Sequence, residues 1–212
     1  MPQPGNHAKT RPKGQVALGT NVAVGADPLQ KTLASALAAL DSQAIRITRI
    51  SKFYHTPCWP PGSGPDFVNA VAEIETTLPP DAILARLHAV EATFGRVRRD
   101  RWGPRPLDLD LIALGDLVLP DVETQTRWRD LPAEEQATQA PDGLILPHPR
   151  LQDRAFVLVP LAEISPDWCH PILGRTVRQM LAALPEAEKA AIVPISGPWE
   201  SLSALVKSFE TQ

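Results

Sequence analysis

Arg101-Trp102-Gly103-Pro104-Arg105-Pro106-Leu107-Asp108-Leu109-Asp110-Leu111-Ile112 joins a basic loop, stiffened by proline and glycine, to a segment that alternates leucine and aspartate. A β-strand sends successive side chains to opposite faces. Leu107, Leu109 and Leu111 therefore share one face, and Asp108 and Asp110 share the other. Two carboxylates side by side repel each other unless something positive sits between them. A hard divalent cation such as Mg2+, which prefers carboxylate and phosphate oxygens, is the usual remedy. Arg96, Arg98, Arg99, Arg101 and Arg105 arrive from the adjoining loop. Carboxylates for a metal plus guanidiniums for phosphate are what a metal–nucleotide substrate requires. The same pattern also fits a solvated strand face beside a solvated basic loop.

The rest of the chain supplies the other elements of one domain. At 212 residues it is long enough for a substantial core. Its net charge of -3 makes the arginine cluster a local feature and counts against nonspecific nucleic-acid binding. No signal peptide or membrane span is visible, so the cytoplasm is the expected compartment. Cys58 and Cys169 lack metal-site spacing and are expected as free thiols. The 23 prolines gather at Pro57 to Pro65, Pro79-Pro80, Pro104-Pro106 and Pro147-Pro149, as stiffened loops do.

Residues 1–14 are polar and expected to be disordered. Gln15 to Leu18 reads as a strand, followed by a turn at Gly19-Thr20-Asn21. Asp27-Pro28 supplies an N-cap and a first helical proline, and Leu29, Leu33, Leu37 and Leu40 repeat at helical spacing. Ala44 to Tyr54 reads as a strand, His55 to Pro65 as a loop and Phe67 to Thr76 as an alternating strand. Pro79-Pro80-Asp81 opens a second helix with Ile83, Leu87, Val90 and Phe94 as its buried stripe and Gly95 as its stop. The Leu/Asp strand runs to Leu114. Asp121 to Gly143 is a polar insertion, with Trp128 as its expected pin. The periodicity of Phe156 to Ile164 does not separate helix from strand. Thr176 to Leu184 reads as a helix, and 185–212 as an extension with one amphipathic patch, Leu202 to Val206. The domain proper is thus expected over 15–184.

The order β-α-β-β-α-β is the ferredoxin-like arrangement, an α+β fold with a mainly antiparallel sheet. Helices are expected on one face, over Val68, Ala70, Ala72, Leu107, Leu109 and Leu111. Phe67, Asn69, Asp108 and Asp110 face away. An aromatic, an amide and two carboxylates suit a binding site better than a core. A ferredoxin-like RNA-binding sheet would display several aromatics there, whereas Phe67 stands beside acids. A nucleotide-sensing module without activity is a further alternative.

The block Arg101 to Asp110 resembles the signature of the 6-hydroxymethyl-7,8-dihydropterin pyrophosphokinase family. Three other blocks agree in order and spacing: Gly19-Thr20-Asn21, Tyr54-His55-Thr56-Pro57 through Asn69, and Pro147-His148-Pro149 through Phe156. The resemblance spans about Gln15 to Leu184. It implies an αβα sandwich with the active site under loops, ATP as co-substrate and two Mg2+ ions. It also implies transfer of the terminal diphosphate of ATP to the pterin hydroxymethyl group with release of AMP, in folate biosynthesis. By similarity Asp108 and Asp110 ligate the metals and, with Arg96 and Arg105, form the catalytic group. Thr56, Pro57, Phe67, Asn69, Trp102 and Phe156 would hold the pterin. Glu91, Arg96, Arg98, Arg101, Arg105, Ile145, His148 and Arg154 would hold ATP. The partners implied are small molecules only, with no membrane and no nucleic acid, acting on a monomer. Cys58-Trp59, Gly64, Pro106 and Gln152 depart from the commoner residues at those places, while both metal-ligand positions are kept.

Overall fold

In a computed structural model, which describes residues 11–23, 25–58, 62, 64–95 and 105–196, the two alternating segments lie either side of one central strand. That strand, β1 (Lys13–Thr20), pairs antiparallel with β4 (Phe67–Thr76) on one edge and β5 (Asp108–Leu114) on the other. β2 (Ile45–Ile50) and β3 (Tyr54–Thr56) share the far edge of β4, and β6 (Val193–Pro194) adds to β3. β1 begins two residues earlier than expected. The Ala44–Tyr54 strand divides in two, so β3 lies partly inside the expected loop.

One sheet face carries Val16, Leu18, Val68, Ala70, Ala72, Ile74, Leu109 and Leu111. α1 (Leu29–Leu40) and α2 (Pro80–Thr93) cover it with Leu33, Leu37, Leu40, Ile83, Leu87 and Val90. This is the ferredoxin-like arrangement, and its leucine stripes are those read from spacing. The expected cap of α1 differs: Pro28 takes the N-cap position in extended conformation, and Asp27 accepts from Lys31 Nζ instead. α2 starts with Pro80 at N1 and ends before Gly95, whose φ of 81° is the left-handed stop that glycine permits.

The expectation that helices occupy one face holds for α1 and α2 but is incomplete. α5 (Ala155–Ile164) and α6 (Val177–Ala183) cover the other half of the second face, packing Val157, Leu158, Leu161 and Met180 on Val71 and Ile112. The stretch of undecided periodicity is therefore helical. It is apolar nearly all round because it is enclosed between the sheet and α6. Glu163 fixes its C-terminal end, accepting from the Lys52 N–H and from the Tyr54 hydroxyl. A capping box between Thr176 and Gln179 starts α6.

A bulge in β5 is not visible in the sequence. Val16 faces Leu111 and Gln15 faces Ala113, which leaves Ile112 without a partner on β1. Ile112 turns onto the second face, and its carbonyl accepts from the His148 N–H at 2.8 Å.

The 121–143 insertion contains α3 (Val122–Arg129), capped by Asp121, and α4 (Ala133–Thr138). Its pin is Gln125 rather than Trp128. Gln125 is fully buried and donates from Nε2 to the Pro147 carbonyl at 3.1 Å, whereas Trp128 is only half-buried. Arg150 adds bonds to the Arg129 and Leu131 carbonyls. The extension past residue 185 contributes β6 to the sheet, while Leu202 to Val206 lies outside the described residues. Cys58 and Cys169 are both free, as expected.

Leu158 is fully buried in the layer that the second face acquires from α5. Leu158→Ala should lower unfolding stability by about 2–5 kcal/mol. Urea unfolding checks this; a loss within about 0.5 kcal/mol, typical of a surface site, would mean that α5 does not pack there.

Candidate functional site

The register of β1 brings the predicted residues into line. Gly19 lies opposite Asp108 on β5 and opposite Asn69 on β4, and Asn69 lies opposite Tyr54 on β3. One row across four strands thus reads Asp108, Gly19, Asn69, Tyr54, all on the second face. The next row sets Asp110, Ala17 and Val71 side by side. Where α5 stops covering the face, these rows begin to be exposed: Asp108, Asp110 and Phe67 are partly open to solvent.

Gly19 forms the floor of this stretch. A Cβ there would sit 2.6 Å from Asn69 Oδ1 and 3.9 Å from Phe67 Cδ1. The missing side chain leaves room between the carboxylate strand and the amide. Asn69 cannot easily give way, because its Nδ2 donates to Thr56 Oγ1 at 2.6 Å and both residues are buried. That bond leaves the Asn69 carbonyl oxygen as the group that borders the gap. Pro57 is exposed beside Thr56, and the Cys58 N–H is held by Asp66.

The charged half lies around β5. Arg105 donates to Asp108 Oδ2 at 2.5 Å, neutralising the carboxylate nearest the row. Burial lowers the pKa of Arg154, while Asp110 and Asp108 pull it back and Arg150 and Arg105 add to the lowering. The Arg154 guanidinium also lies 5.6 Å from the centre of the Phe156 ring, a cation–π distance. Phe156 is half-buried at the start of α5, packed against the Tyr54, Ala155 and Ile192 cluster.

His148 is held as a neutral donor. Its Nδ1 accepts from the Arg150 N–H at 3.0 Å, so in the neutral ring the proton sits on Nε2. Burial pushes its pKa down to about 3, with Arg154 and Arg150 adding and Asp108 opposing. One N–H is therefore available for an anion without a further positive charge. Arg150 was not among the predicted residues, and no spacing rule announces its backbone contact. Gln152, expected where a phosphate-facing lysine can stand, bonds instead to the Pro149 carbonyl and Asp153 within its own turn.

Glu91, which the resemblance places at the ATP site, makes a contact to the backbone of β5. It is buried on α2 and accepts from the Leu109 N–H at 2.7 Å. β5 is an edge strand, so that N–H has no strand partner, and the carboxylate satisfies it. Glu91 thereby fixes the backbone between the two aspartates. Ile145 is buried next to Leu146, which pairs with Leu119. Arg96, Arg98, Arg101 and Trp102 lie outside the described residues.

Among the described residues no cluster of three or more His, Cys, Asp or Glu side chains forms a cage for a metal. Two carboxylates on one strand face do fit Mg2+, which commonly takes one or two carboxylates and completes its shell with water and substrate phosphates. A separate cavity of about 300 Å3 lies towards the opposite end of β1, lined by Lys13, Gln15, Arg49, Glu73 and Trp168. It holds none of the predicted site residues.

The neutral His148 makes stability pH-dependent. The unfolded ring takes up a proton near pH 6.5, whereas the folded one resists until about pH 3. Between these values the unfolded state binds more protons, so stability is full above pH 7 and falls as pH drops through 6.5 towards 3. His148→Gln should lose less stability than the parent between pH 7 and 5, by about 2 kcal/mol. Urea midpoints at the two pH values check this; equal losses would contradict a neutral His148.

Residues 15–166 match the family model described as 7,8-dihydro-6-hydroxymethylpterin-pyrophosphokinase (HPPK). The chain is 38% identical over 182 residues to the 2-amino-4-hydroxy-6-hydroxymethyldihydropteridine pyrophosphokinase of Synechocystis sp., covering 85% of this chain and 79% of that one. It is 38% identical over 174 residues to the protein of the same name from Pseudomonas aeruginosa, covering 80% and 90%. The crystal structure of wild-type Plasmodium falciparum HPPK-DHPS with SDX-DHP superimposes with a TM-score of 0.58 at 14% identity, over 81% of this chain. This chain spans 44% of that longer chain, and the likeness concerns the fold. The match along most of the sequence makes the chain a member of the 7,8-dihydro-6-hydroxymethylpterin-pyrophosphokinase family.

Proposed function

We propose that the second sheet face, from Phe67 and Asn69 across Gly19 to Asp108 and Asp110, is where this chain joins its two substrates. The family reaction is diphosphate transfer from ATP to 6-hydroxymethyl-7,8-dihydropterin, a step of folate biosynthesis, and this chain carries it out. The observation that carries the assignment is the row in which Gly19 separates Asp108 from Asn69. It sets a carboxylate and an amide on one floor with an open gap between them.

Thr56, Asn69 and the Pro57 backbone would read the edge of the pterin, with Phe67 and Phe156 against its faces. Asp108 and Asp110 would hold two Mg2+ ions, whose chemistry is to offset charge on the phosphate oxygens. Arg105 bonds Asp108 in this structure. With ATP present it would release Asp108 and turn to the phosphates, leaving that carboxylate to help hold a cation. His148 would donate from Nε2, and Arg154 would add charge. Arg96, Arg98 and Arg101 from the preceding loop would complete the phosphate grip, Glu91 and Ile145 would shape the nucleotide pocket, and Trp102 would close over the pterin.

The hydroxymethyl oxygen attacks the β-phosphorus of ATP in line. The new bond is O–Pβ, the broken bond joins Pβ to the bridging oxygen of the α-phosphate, and AMP leaves with that oxygen. The hydroxyl proton passes to Asp110 or to water. A loose transition state asks little of a general base, so positioning and electrostatics dominate. Residues 15–184 would form the catalytic domain, with 185–212 as an extension, acting as a monomer in the cytoplasm on small molecules alone. Among the described residues no helix is long and apolar enough to cross a membrane.

The direct test mixes the protein with ATP, Mg2+ and 6-hydroxymethyl-7,8-dihydropterin and follows AMP. Equimolar AMP and pterin diphosphate are expected, and their absence would refute the assignment. Asp108→Ala should abolish turnover without changing the unfolding free energy by more than about 1 kcal/mol. Appreciable AMP from that variant would remove the metal role. Stacking of a base on an aromatic ring is worth about 1–3 kcal/mol. Phe67→Ala should therefore weaken pterin binding roughly 5- to 150-fold and leave ATP binding nearly unchanged. Calorimetry with each ligand decides; equal losses for both would reject the stacking role.

A further inference from the structure

In the Gly19-Thr20-Asn21 block, Gly19 forms the floor of the site and the next two residues bond to the segments that border it. Asn21 is buried and lies just past the end of β1. Its side-chain oxygen accepts from the Arg105 N–H at 2.9 Å, and its own N–H donates to the Arg105 carbonyl at 3.2 Å. Its Nδ2 donates to the Pro65 carbonyl at 3.4 Å. The neighbouring Thr20 hydroxyl donates to the Pro106 carbonyl at 2.7 Å.

These partners belong to opposite halves of the site. Pro65 stands two residues before Phe67, on the side of the aromatic and the amide. Arg105 stands three residues before Asp108 and itself bonds that carboxylate. One short side chain thus uses its acceptor on the charged half and its donor on the pterin half. The chemistry of the residue fits this double use. Aspartate would lack the donor for Pro65, alanine would lack both groups, and glutamine would be one methylene too long. The bonds of Asn21 go to loop backbone on both halves of the site, as a spacer requires.

We propose that Asn21 is a positioning residue that sets the separation between the two half-sites, so that the pterin hydroxyl meets the β-phosphorus in line. The inference rests on the reading under Proposed function. Each substrate binds mainly to its own half, so loss of the spacer leaves single-substrate affinity nearly intact. What suffers is the step that needs both substrates at once. A misplacement of about 1 Å between reacting groups can cost on the order of 100-fold in rate.

The test compares Asn21→Ala and the isosteric Asn21→Asp with the parent. Three quantities are measured: the dissociation constant of the pterin alone, that of a non-hydrolysable ATP analogue with Mg2+, and kcat with both substrates saturating. Near-UV circular dichroism establishes that the variants are folded. The expected result is a fall in kcat of about 100-fold for Asn21→Ala, with each dissociation constant within about threefold of the parent's. Asn21→Asp, which keeps the acceptor for Arg105 but not the donor for Pro65, should fall between the two. An unchanged kcat in the folded variants would overturn the inference, as would a loss confined to one substrate's affinity. Loss of the fold in both variants would also overturn it, by making Asn21 a structural residue. If the parent itself forms no AMP, the proposed function fails first and this inference falls with it.

Discussion

The pairing of β1 with β4 and β5 is the constraint on which the site depends. Register in an antiparallel sheet is all or nothing, because a slip by one residue sends every side chain to the other face. Here it is held by the alternation of Val16 and Leu18 with Ala70, Ala72, Leu109 and Leu111, all buried under α1 and α2. That apolar face cannot shift without exposing its core. The polar face is therefore fixed as a by-product: once Leu18 is in the core, Gly19 must lie between Asn69 and Asp108. The burial that stabilises the fold on one side thus sets the spacing of chemical groups on the other.

β5 makes this arrangement demanding, because it is an edge strand that carries two acids. Its outer edge would otherwise present unpaired backbone groups. Glu91 takes the Leu109 N–H, and the His148 N–H binds the carbonyl freed at the Ile112 bulge. Gln125 and Arg150 then brace the Pro147–Arg150 segment from the insertion. The 121–143 segment is therefore attached to the charged half of the site, through the buried Gln125 bond and the part-buried bonds of Arg150, rather than lying apart from it.

Much of this was legible in the sequence, and the failures have physical reasons. The alternation in Phe67–Thr76 and Leu107–Leu111 identified both faces, since a half-buried strand must write its environment with period two. The leucine spacing in α1 and α2 did the same for the first helical layer. β3 was hidden because three residues beside a proline-rich loop are too few to show a period. The bulge was hidden because Ile112 is as apolar as its neighbours, and only the register reveals that it is extra. α5 was ambiguous because enclosure on both sides removes the polar face that marks a surface helix. Among the site residues, Asp108, Asp110, Phe67 and Asn69 stood out because they break the expectation of a core. The tasks of Glu91, Arg150 and Asn21 depend on backbone groups far away in sequence, which no pattern of side chains reports.

The tautomer of His148 links the bulge in β5 to the charged half of the site. A lysine in its place would bring another full charge close to Arg150 and Arg154, and some of its attraction for phosphate would be spent on that repulsion. A histidine free to titrate would change its donor count near neutral pH. The Arg150 N–H removes that freedom by occupying Nδ1, and burial holds the ring neutral down to about pH 3. What remains is one N–H in a direction set by the Ile112 carbonyl and the Pro147–Arg150 turn. The bulge in β5 thus orients the donor in the charged half of the site just as the register of β1 spaces the acids from the amide. In this site, charge is supplied by arginines and aspartates, and direction is supplied by backbone bonds that fix a neutral ring.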